Sequence, residues 1–356
     1  MSLPVKVIVL SVALAVLSGQ VLANDYAKGL AAYEKNDFAT AVQFFTKAIE
    51  QDPNDTDAFA ARATAYHALG EFDAGIADYS EAIRIDPNDS EAYLGRAEIW
   101  FDKDELGKSI ADYDEAIRLV PNNSDAYVGR GRTWRAKREF DKALSDFDEA
   151  IRLDPKNADA FGSRGSVWWK KHEYDKGIAD YSEAIRLVPN NGRIYLHRGI
   201  VWHKKGVLDK AMADLDVSIS LDPTNCVAYH LRGKAWLAKG DFDKALNDFD
   251  ESIRLEPKFV VTLDQRAWLR ATCPKEKCRD GAKAIEDATK ANELTKWRSP
   301  FFHGTLAAAY AEYGQFDKAV EWQNKAIELA PDDKKTDFGI RLELYQEGKP
   351  YREEPK

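Results

Sequence analysis

The chain has 356 residues, of which 44% are hydrophobic and 31% are charged, and its formal net charge at pH 7 is −9. A chain of this length exceeds what one compact core usually supports, so we expect either several domains or an array of repeats. The acidic balance disfavours a nucleic-acid-binding protein, which usually has a basic surface. It also disfavours adhesion to anionic membranes.

Residues 1–23 have the features of an export signal. Lys6 precedes an apolar run at 7–17, and Val21-Leu22-Ala23 fits the small-residue rule for cleavage. We therefore expect a signal peptide that is removed after Ala23. A retained membrane anchor is the alternative, but the run is shorter than the roughly 20 residues that span a bilayer. The mature protein is then expected to be exported, periplasmic or secreted, without stable membrane insertion.

A period of 34 residues extends through most of the chain after this segment. Aromatic and small residues recur in step with the period, for example Tyr93 with Tyr127 and Gly131 with Gly165. Several columns in one register cannot arise by coincidence, so the pattern predicts an array of repeats. The prolines that define the period are Pro53, Pro87, Pro121, Pro155, Pro189, Pro223 and Pro257.

Each repeat is interpreted as two helices. In the repeat at 124–157, apolar or small residues follow helical spacing from Asp125 to Lys137 and again from Asp141 to Leu153. Proline cannot continue a helix and biases the preceding residue away from helical geometry. The proline near the end of each repeat therefore ends its second helix.

This spacing resembles the tetratricopeptide repeat, in which an aromatic, Leu-Gly, a second aromatic, Ala, Phe and Pro stand at fixed positions. The resemblance implies an all-α fold, a right-handed superhelical solenoid of tandem helix-turn-helix repeats. It also implies a concave groove, lined by the first helix of each pair, that holds a protein or peptide. On this basis we place the repeats at 24–55 (degenerate), 56–89, 90–123, 124–157, 158–191, 192–225, 226–259, 260–299 and 300–333.

The last part of the chain departs from the regular pattern. The repeat at 260–299 carries about five extra residues between its helices, around Cys273 to Gly281. Residues 334–356 are predicted to form a capping helix and an extended tail. A terminal repeat has no neighbour on one side, so this helix is expected to cover the last hairpin with Phe338, Ile340, Leu342, Leu344 and Tyr345.

Arginine recurs where the family commonly has leucine, and an aspartate follows sixteen residues later, as in Arg130 with Asp146 and Arg164 with Asp180. One interpretation is a stripe of arginines presented to an acidic ligand. The other is a set of ion pairs that join helices. The first and ninth repeats lack both residues together, which favours structural ion pairs. We therefore exclude these arginines from the binding site.

In similar proteins five positions of each first helix line the groove. Mapped onto this chain, those positions are acidic near the N-terminal end and basic in the centre. Basic groups beside an aromatic ring suit an acidic or C-terminal segment of a partner. Solvated groove residues without a ligand are the alternative. The predicted partner-binding residues are Arg132, Arg135, Trp169, Lys170, Arg193, His203, Lys204 and Lys234.

No catalytic or phosphate-binding motif is present in the sequence, so we expect no enzyme. None of the six histidines has a tight metal-ligand spacing with cysteine, so we expect neither a metal nor another cofactor. Cys273 and Cys278 could close a short disulfide in an oxidising compartment. Free thiols and a metal site are the alternatives, although zinc would need two more ligands.

The function that these observations favour is a non-catalytic scaffold that binds an extended or helical, acidic partner segment in the groove. A small-ligand or glycan receptor is the second hypothesis, with the aromatic residues Trp169, Phe101 and Tyr33 as its platform. A purely structural spacer is the third. Self-association is possible under each hypothesis, and the partner's identity stays open.

Overall fold

The computed structural model describes residues 25–353, and the predicted signal peptide at 1–23 lies outside that range. In the described range the chain forms nineteen α-helices and one 3-10 turn, without a strand. The prediction of an all-α repeat fold is confirmed. In the same range no helix combines the length and the apolar character needed to cross a membrane.

The helices fall into two compact blocks, which divide after Leu187. Those of the N-terminal block are α1 (Asp25–Glu34), α2 (Phe38–Gln51), α3 (Thr56–Leu69), α4 (Phe72–Ile85), α5 (Ser90–Asp102), α6 (Leu106–Leu119), α7 (Ser124–Ala136), α8 (Phe140–Leu153), α9 (Ala158–Lys170) and α10 (Tyr174–Leu187). Those of the C-terminal block are α11 (Gly192–Lys204), α12 (Leu208–Leu221), α13 (Cys226–Ala238), α14 (Phe242–Leu255), α15 (Val260–Thr272), α16 (Gly281–Leu294), α17 (Pro300–Glu312), α18 (Phe316–Leu329) and α19 (Asp332–Gln346).

Capping residues and turn residues determine where the two helices of each pair begin and end. Asparagine or aspartate caps several of the first helices; the Asn123 side chain, for example, accepts hydrogen bonds from the first-turn amides of α7. Such a cap satisfies donors that the helix itself leaves free. The short turn to the second helix needs a residue with positive φ. Gly240 supplies it at φ 74° without steric cost, whereas Arg138 adopts φ 63°.

Small side chains let the two helices of a pair approach closely. A Cβ atom added at Gly131 of α7 would stand 2.7 Å from the ring of Phe147 in α8, closer than two carbon atoms can pack. Ala143, Phe147 and Ala150 are fully buried in the same hairpin. The small and aromatic residues that recur at fixed spacing in the repeats are thus the residues through which the two helices of a pair touch.

The arginine column forms a network both within and between repeats. Arg130 Nε and Nη2 donate to the two carboxylate oxygens of Asp146 at 2.9 and 2.6 Å, in the second helix of its own repeat. Its Nη1 donates at 2.6 Å to Asp114 Oδ1, in the second helix of the preceding repeat. Arg164 makes the same contacts with Asp180 and with Asp148. Arg130 and Arg164 each therefore join their own helix to two second helices, and we call this set of contacts the clamp.

The acceptor in the preceding repeat varies along the chain. Arg62 and Arg96 donate Nη1 to the hydroxyl oxygens of Thr46 and Ser80. In the C-terminal block Arg232 and Arg266 use carboxylates, those of Asp216 and Asp250. The arginine thus reaches a neutral hydroxyl on α2 or α4 and an ionised carboxylate in these later repeats.

The extra residues of the eighth repeat leave its clamp intact. Arg266 still bonds Asp287 through two nitrogens, although 21 residues now separate the pair. The added length forms a 3-10 turn at Glu276–Cys278. An insertion at the turn between the helices therefore costs the repeat none of its packing.

The capping helix is α19, and its contacts correct one expectation. Phe338 and Tyr345 are buried at 3% and 1% exposure, but Ile340 is 54% exposed. The prediction that Ile340 covers the last hairpin is therefore wrong. Ile340 follows Phe338 by two positions, and residues two apart on a helix point to different sides.

We expect Arg130→Ala to lower the free energy of unfolding by about 3 kcal/mol, because it leaves the carboxylate of Asp146 buried without its partner. Arg152→Ala is the matched control, since Arg152 pairs with Glu149 on the exposed side of the same hairpin; it should leave the urea midpoint almost unchanged. Urea denaturation followed by circular dichroism measures both. Equal losses in the two variants would contradict the clamp.

Asp264 of α15 introduces a pH dependence into the C-terminal block. Burial raises the pKa of Asp264 from its ordinary 3.8 to about 7, although a hydrogen bond with Thr305 opposes the shift. Because the folded state binds the proton more tightly than the unfolded state, stability falls as pH rises from about 4 to about 7. Asp264→Asn should therefore stabilise the protein at pH 8 and have little effect at pH 4.

Thermal melts at the two pH values test this expectation. Glu328→Gln is the control, because Glu328 is an exposed acid in the same block. The melting-temperature difference between Asp264→Asn and the parent should grow with pH. A difference that stays constant from pH 4 to pH 8, as for the control, would exclude the role of Asp264.

Candidate partner-binding surfaces

Four of the eight predicted binding residues lie in the N-terminal block, on the first helices α7 and α9. Arg135 and Trp169 occupy the same position in consecutive repeats. Arg135 Nη1 donates to Ser166 Oγ of α9 at 2.6 Å. Lys170 Nζ lies 4.7 Å from the centre of the Trp169 ring. The structure thus brings a guanidinium, an indole ring and an ammonium group onto one pair of helices.

Arg132 is directed toward α5. Its guanidinium carbon lies 5.6 Å from the centre of the Phe101 ring. Its Nη1 is 4.0 Å from Glu98 Oε1, which also accepts a 2.6 Å hydrogen bond from the buried Tyr113 hydroxyl. Glu98 therefore neutralises part of the positive charge that the sequence assigns to Arg132.

Acidic residues lie at the first turns of the preceding first helices. Burial raises the pKa values of Asp57 and Glu91, and neighbouring acids raise them further: Asp89 acts on both, and Asp125 acts on Glu91. These carboxylates repel one another. Negative charge is thus concentrated at the first turns of α3 and α5.

The other four predicted residues lie in the C-terminal block, where the structure separates them into two groups. His203 of α11 and Lys234 of α13 line a cavity of about 350 Å³. Arg193 and Lys204 are exposed on α11 and are not part of its wall. Other residues of the wall include Leu237, Phe242, Gln265, Trp268, Leu269, Cys273 and Glu353.

Lys234 carries the positive charge of this cavity. Burial lowers the pKa of His203, and the charges of Lys234 and Lys204 lower it further. Burial also lowers the pKa of His230 to about 4, with a smaller contribution from Lys234. Both imidazoles are therefore neutral at pH 7, and His230 Nδ1 lies 2.9 Å from the Thr262 hydroxyl.

Sequence reasoning left Trp268 out of the predicted site, although it stands at a groove position of α15. Trp268 Nε1 donates to Glu353 Oε2 at 2.6 Å. This contact joins residues 85 positions apart, one of them in the tail that follows α19. The repeat register places Trp268 at a groove position, so Trp268 could have been predicted as a site residue. The tail follows no repeat pattern, so its contact with Trp268 could not.

The two cysteines of the eighth repeat are close together and buried as free thiols. The Cys278 thiol donates to Asp243 Oδ1 at 3.6 Å. Burial raises the pKa of Cys278 to about 11, and Cys273 and Asp243 raise it as well. A thiol with this pKa is a weak nucleophile at neutral pH, and the disulfide between the two cysteines stays a prediction.

Solved structures resemble this chain along much of its length. A chain of the APC/C hetero-tetramer Cut9-Hcn1 matches at a TM-score of 0.57 and 17% identity, over 86% of this chain and 59% of that one. A tetratricopeptide repeat protein from Parabacteroides merdae matches at 0.54 and 20%, over 68% and 96%. The pilF protein of Pseudomonas aeruginosa matches at 0.54 and 18%, over 60% and 96%. These identities support the fold alone.

Family models give the same result from the sequence, while no curated protein matches. Models described as tetratricopeptide repeat match residues 32–99, 106–158, 128–191, 163–225, 226–259 and 300–333. The matches at 226–259 and 300–333 have the bounds of two predicted repeats. The paired helices, the close contacts of their small residues and these matches agree, and the chain belongs to the tetratricopeptide repeat family.

Proposed function

We propose that the N-terminal block binds an acidic segment of a partner protein, extended or helical, on the surface formed by Arg135, Trp169 and Lys170. The tetratricopeptide fold supports a protein–protein interaction scaffold, and proteins of this family are generally non-catalytic. The observation that carries the finer proposal is the Trp169 ring with the Lys170 ammonium 4.7 Å from its centre, on a helix that the Arg135 guanidinium also contacts through Ser166, in a chain of net charge −9.

The chemistry of the three side chains is complementary to an acidic segment. Trp169 is half-buried and offers a rigid apolar face, and aromatic anchors of this kind dominate binding energy at interfaces. Arg135 offers a planar guanidinium that binds a carboxylate through two nitrogens, and Lys170 adds an exposed ammonium group. Contact with the ring supplies affinity, and the two cations select the sign of the ligand's charge.

A glycan receptor has less support from the same surface. Sugar platforms usually combine an aromatic ring with acids and amides, whereas the Trp169 ring here has the Lys170 ammonium beside it, and the same helix accepts a hydrogen bond from Arg135 at Ser166. A ligand panel read by thermal shift separates the two functions. A small ligand that binds tightly raises the melting temperature by mass action.

Cross-linking from residue 170 tests the proposed surface. With a photoreactive amino acid at residue 170 in the full chain, we expect one dominant partner protein, identified by mass spectrometry through an acidic segment. Residue 149 on α8 is the control position, because Glu149 lies on the second helix of its repeat, at an exposed ion pair with Arg152. Capture from position 149 alone would place the site elsewhere.

A charge-reversal series then measures the contribution of each side chain. We expect Lys170→Glu and Trp169→Ala each to weaken binding of a synthetic peptide of the cross-linked segment by about tenfold or more, which corresponds to about 1.4 kcal/mol. Lys156→Glu is the matched control, with the same change of charge at an exposed position between α8 and α9. Fluorescence anisotropy gives the affinities, and an equal loss in Lys156→Glu would indicate a non-specific charge effect.

A further inference from the structure

The tail that follows α19 turns back onto the C-terminal block. Gly348 adopts φ 70°, and the amides of Gly348 and Lys349 donate to the carbonyls of Tyr345 and Leu344 at 3.1 and 2.8 Å. These two bonds form a Schellman motif, the usual end of a helix at a left-handed glycine. Pro350 follows and cannot continue the helix. The turn directs residues 351–353 toward α15.

The tail makes backbone contacts with the end of α15. The amide of Glu353 donates to the carbonyl of Thr272 at 2.9 Å. Arg352 Nη1 donates to the carbonyl of Ala271 at 3.3 Å. The last carbonyls of a helix have no partner within the helix. Residues 351–353 therefore use acceptors that α15 offers to any extended segment lying on it.

Each side chain of the tail also has a defined partner. The Tyr351 ring lies 5.8 Å from the ring of Trp268. Arg352 Nη2 is 2.5 Å from Glu312 Oε2, and the other oxygen of Glu312 accepts from Arg279 Nε at 2.9 Å. The Glu353 carboxylate accepts from Trp268 Nε1 and forms part of the cavity wall. The C-terminal block thus contacts an aromatic ring, a cation and an acid at three consecutive residues of the tail.

The attachment of this segment is weak enough to be reversible. Residues 351–353 have no regular secondary structure, and Arg352 remains about one-third exposed at 34%. Ordering each residue costs about 1–2 kcal/mol of backbone entropy, which offsets much of what the few contacts contribute. Segments with few buried contacts detach by local opening while the rest of the protein stays folded.

We propose that residues 351–353 are an internal ligand of the C-terminal block, and that an external extended segment with an aromatic, a basic and an acidic residue in succession binds to α15 in their place. The tail is linked to its site, so its effective concentration there is high, and it lowers the apparent affinity for the external segment. This surface lies in the C-terminal block and is independent of Trp169. It goes beyond the proposed function by adding a second site, which the tail of the same chain occupies.

The test uses the full chain and a fluorescein-labelled peptide with the sequence of residues 347–353. Tyr351→Ala, Arg352→Ala and Glu353→Ala are combined in one variant, which removes every side-chain contact of the tail. We expect this triple variant to bind the peptide at least tenfold more tightly than the parent. Adding Glu312→Gln removes the partner of the peptide's arginine and should reverse the gain. Fluorescence anisotropy measures all three.

Two controls locate the effect. Lys349→Ala changes the same tail at a side chain that pairs only with the exposed Glu347, and it should bind the peptide no better than the parent. A peptide with a photoreactive phenylalanine analogue in place of its tyrosine should cross-link to α15 or α19. Cross-linking to α9 would place the peptide on the surface of the proposed function and overturn the second site.

Hydrogen exchange of the tail amides completes the test. In the triple variant we expect the amide of Glu353, which donates to the Thr272 carbonyl in the parent, to exchange faster because the segment is released. Fast exchange without peptide binding would show that α15 does not take an external segment. Unchanged slow exchange would show that the named contacts do not hold the tail. Equal peptide affinity of parent and triple variant would show that the tail does not compete. Each of these three results overturns the proposal.

Discussion

A partly buried guanidinium, shared between helices and paired with a buried aspartate, is the interaction on which the repeat array depends. Arg130 binds the carboxylate of its own second helix through two nitrogens and reaches the preceding repeat through a third, and Arg164 does the same. A planar fork with five donors can bind one carboxylate through two nitrogens and still reach a second neighbour; leucine has no donor, and lysine lacks the bidentate geometry. The clamp fixes the distance between consecutive second helices, and the first helices are positioned by packing against them.

The fold could be predicted almost entirely from the sequence because its contacts recur at a fixed separation along the chain. Arg164 pairs with Asp180 as Arg130 pairs with Asp146 one repeat earlier, so one sequence pattern predicts both pairs. Where periodicity ends, prediction became less accurate. The sequence pattern assigned Ile340 to the covered side of the last helix, where no neighbouring repeat exists to set the register, and the structure exposes it.

The candidate site was less accessible to sequence reasoning, for two physical reasons. Charge at a groove position says nothing about the neighbour that neutralises it: Arg132 counts as a free cation in the sequence, yet it lies beside Glu98. Contacts between distant segments leave no periodic trace, so the meeting of Trp268 with Glu353 could not be foreseen. Arg135 reaches α9, the helix that carries Trp169, because consecutive first helices lie next to each other, and the repeat register predicts that arrangement.

The chemistry of the joints also determines how the array responds to mechanical load. At the joints of Arg62 and Arg96 the acceptor in the preceding repeat is a hydroxyl, whereas Arg130 and Arg164 reach carboxylates. The guanidinium is ionised at each of these contacts, so every bond is charge-assisted, but a carboxylate acceptor adds the attraction of an opposite charge that a hydroxyl lacks. The stability of a repeat array is a sum of repeat terms and of interface terms between neighbours, so a weaker interface opens more easily. Under tension along the N-terminal block, the hairpins nearest α1 should peel away first. The later hairpins would still be closed, so this end of the array can act as an extensible spring before the binding surface on α7 and α9 is disturbed.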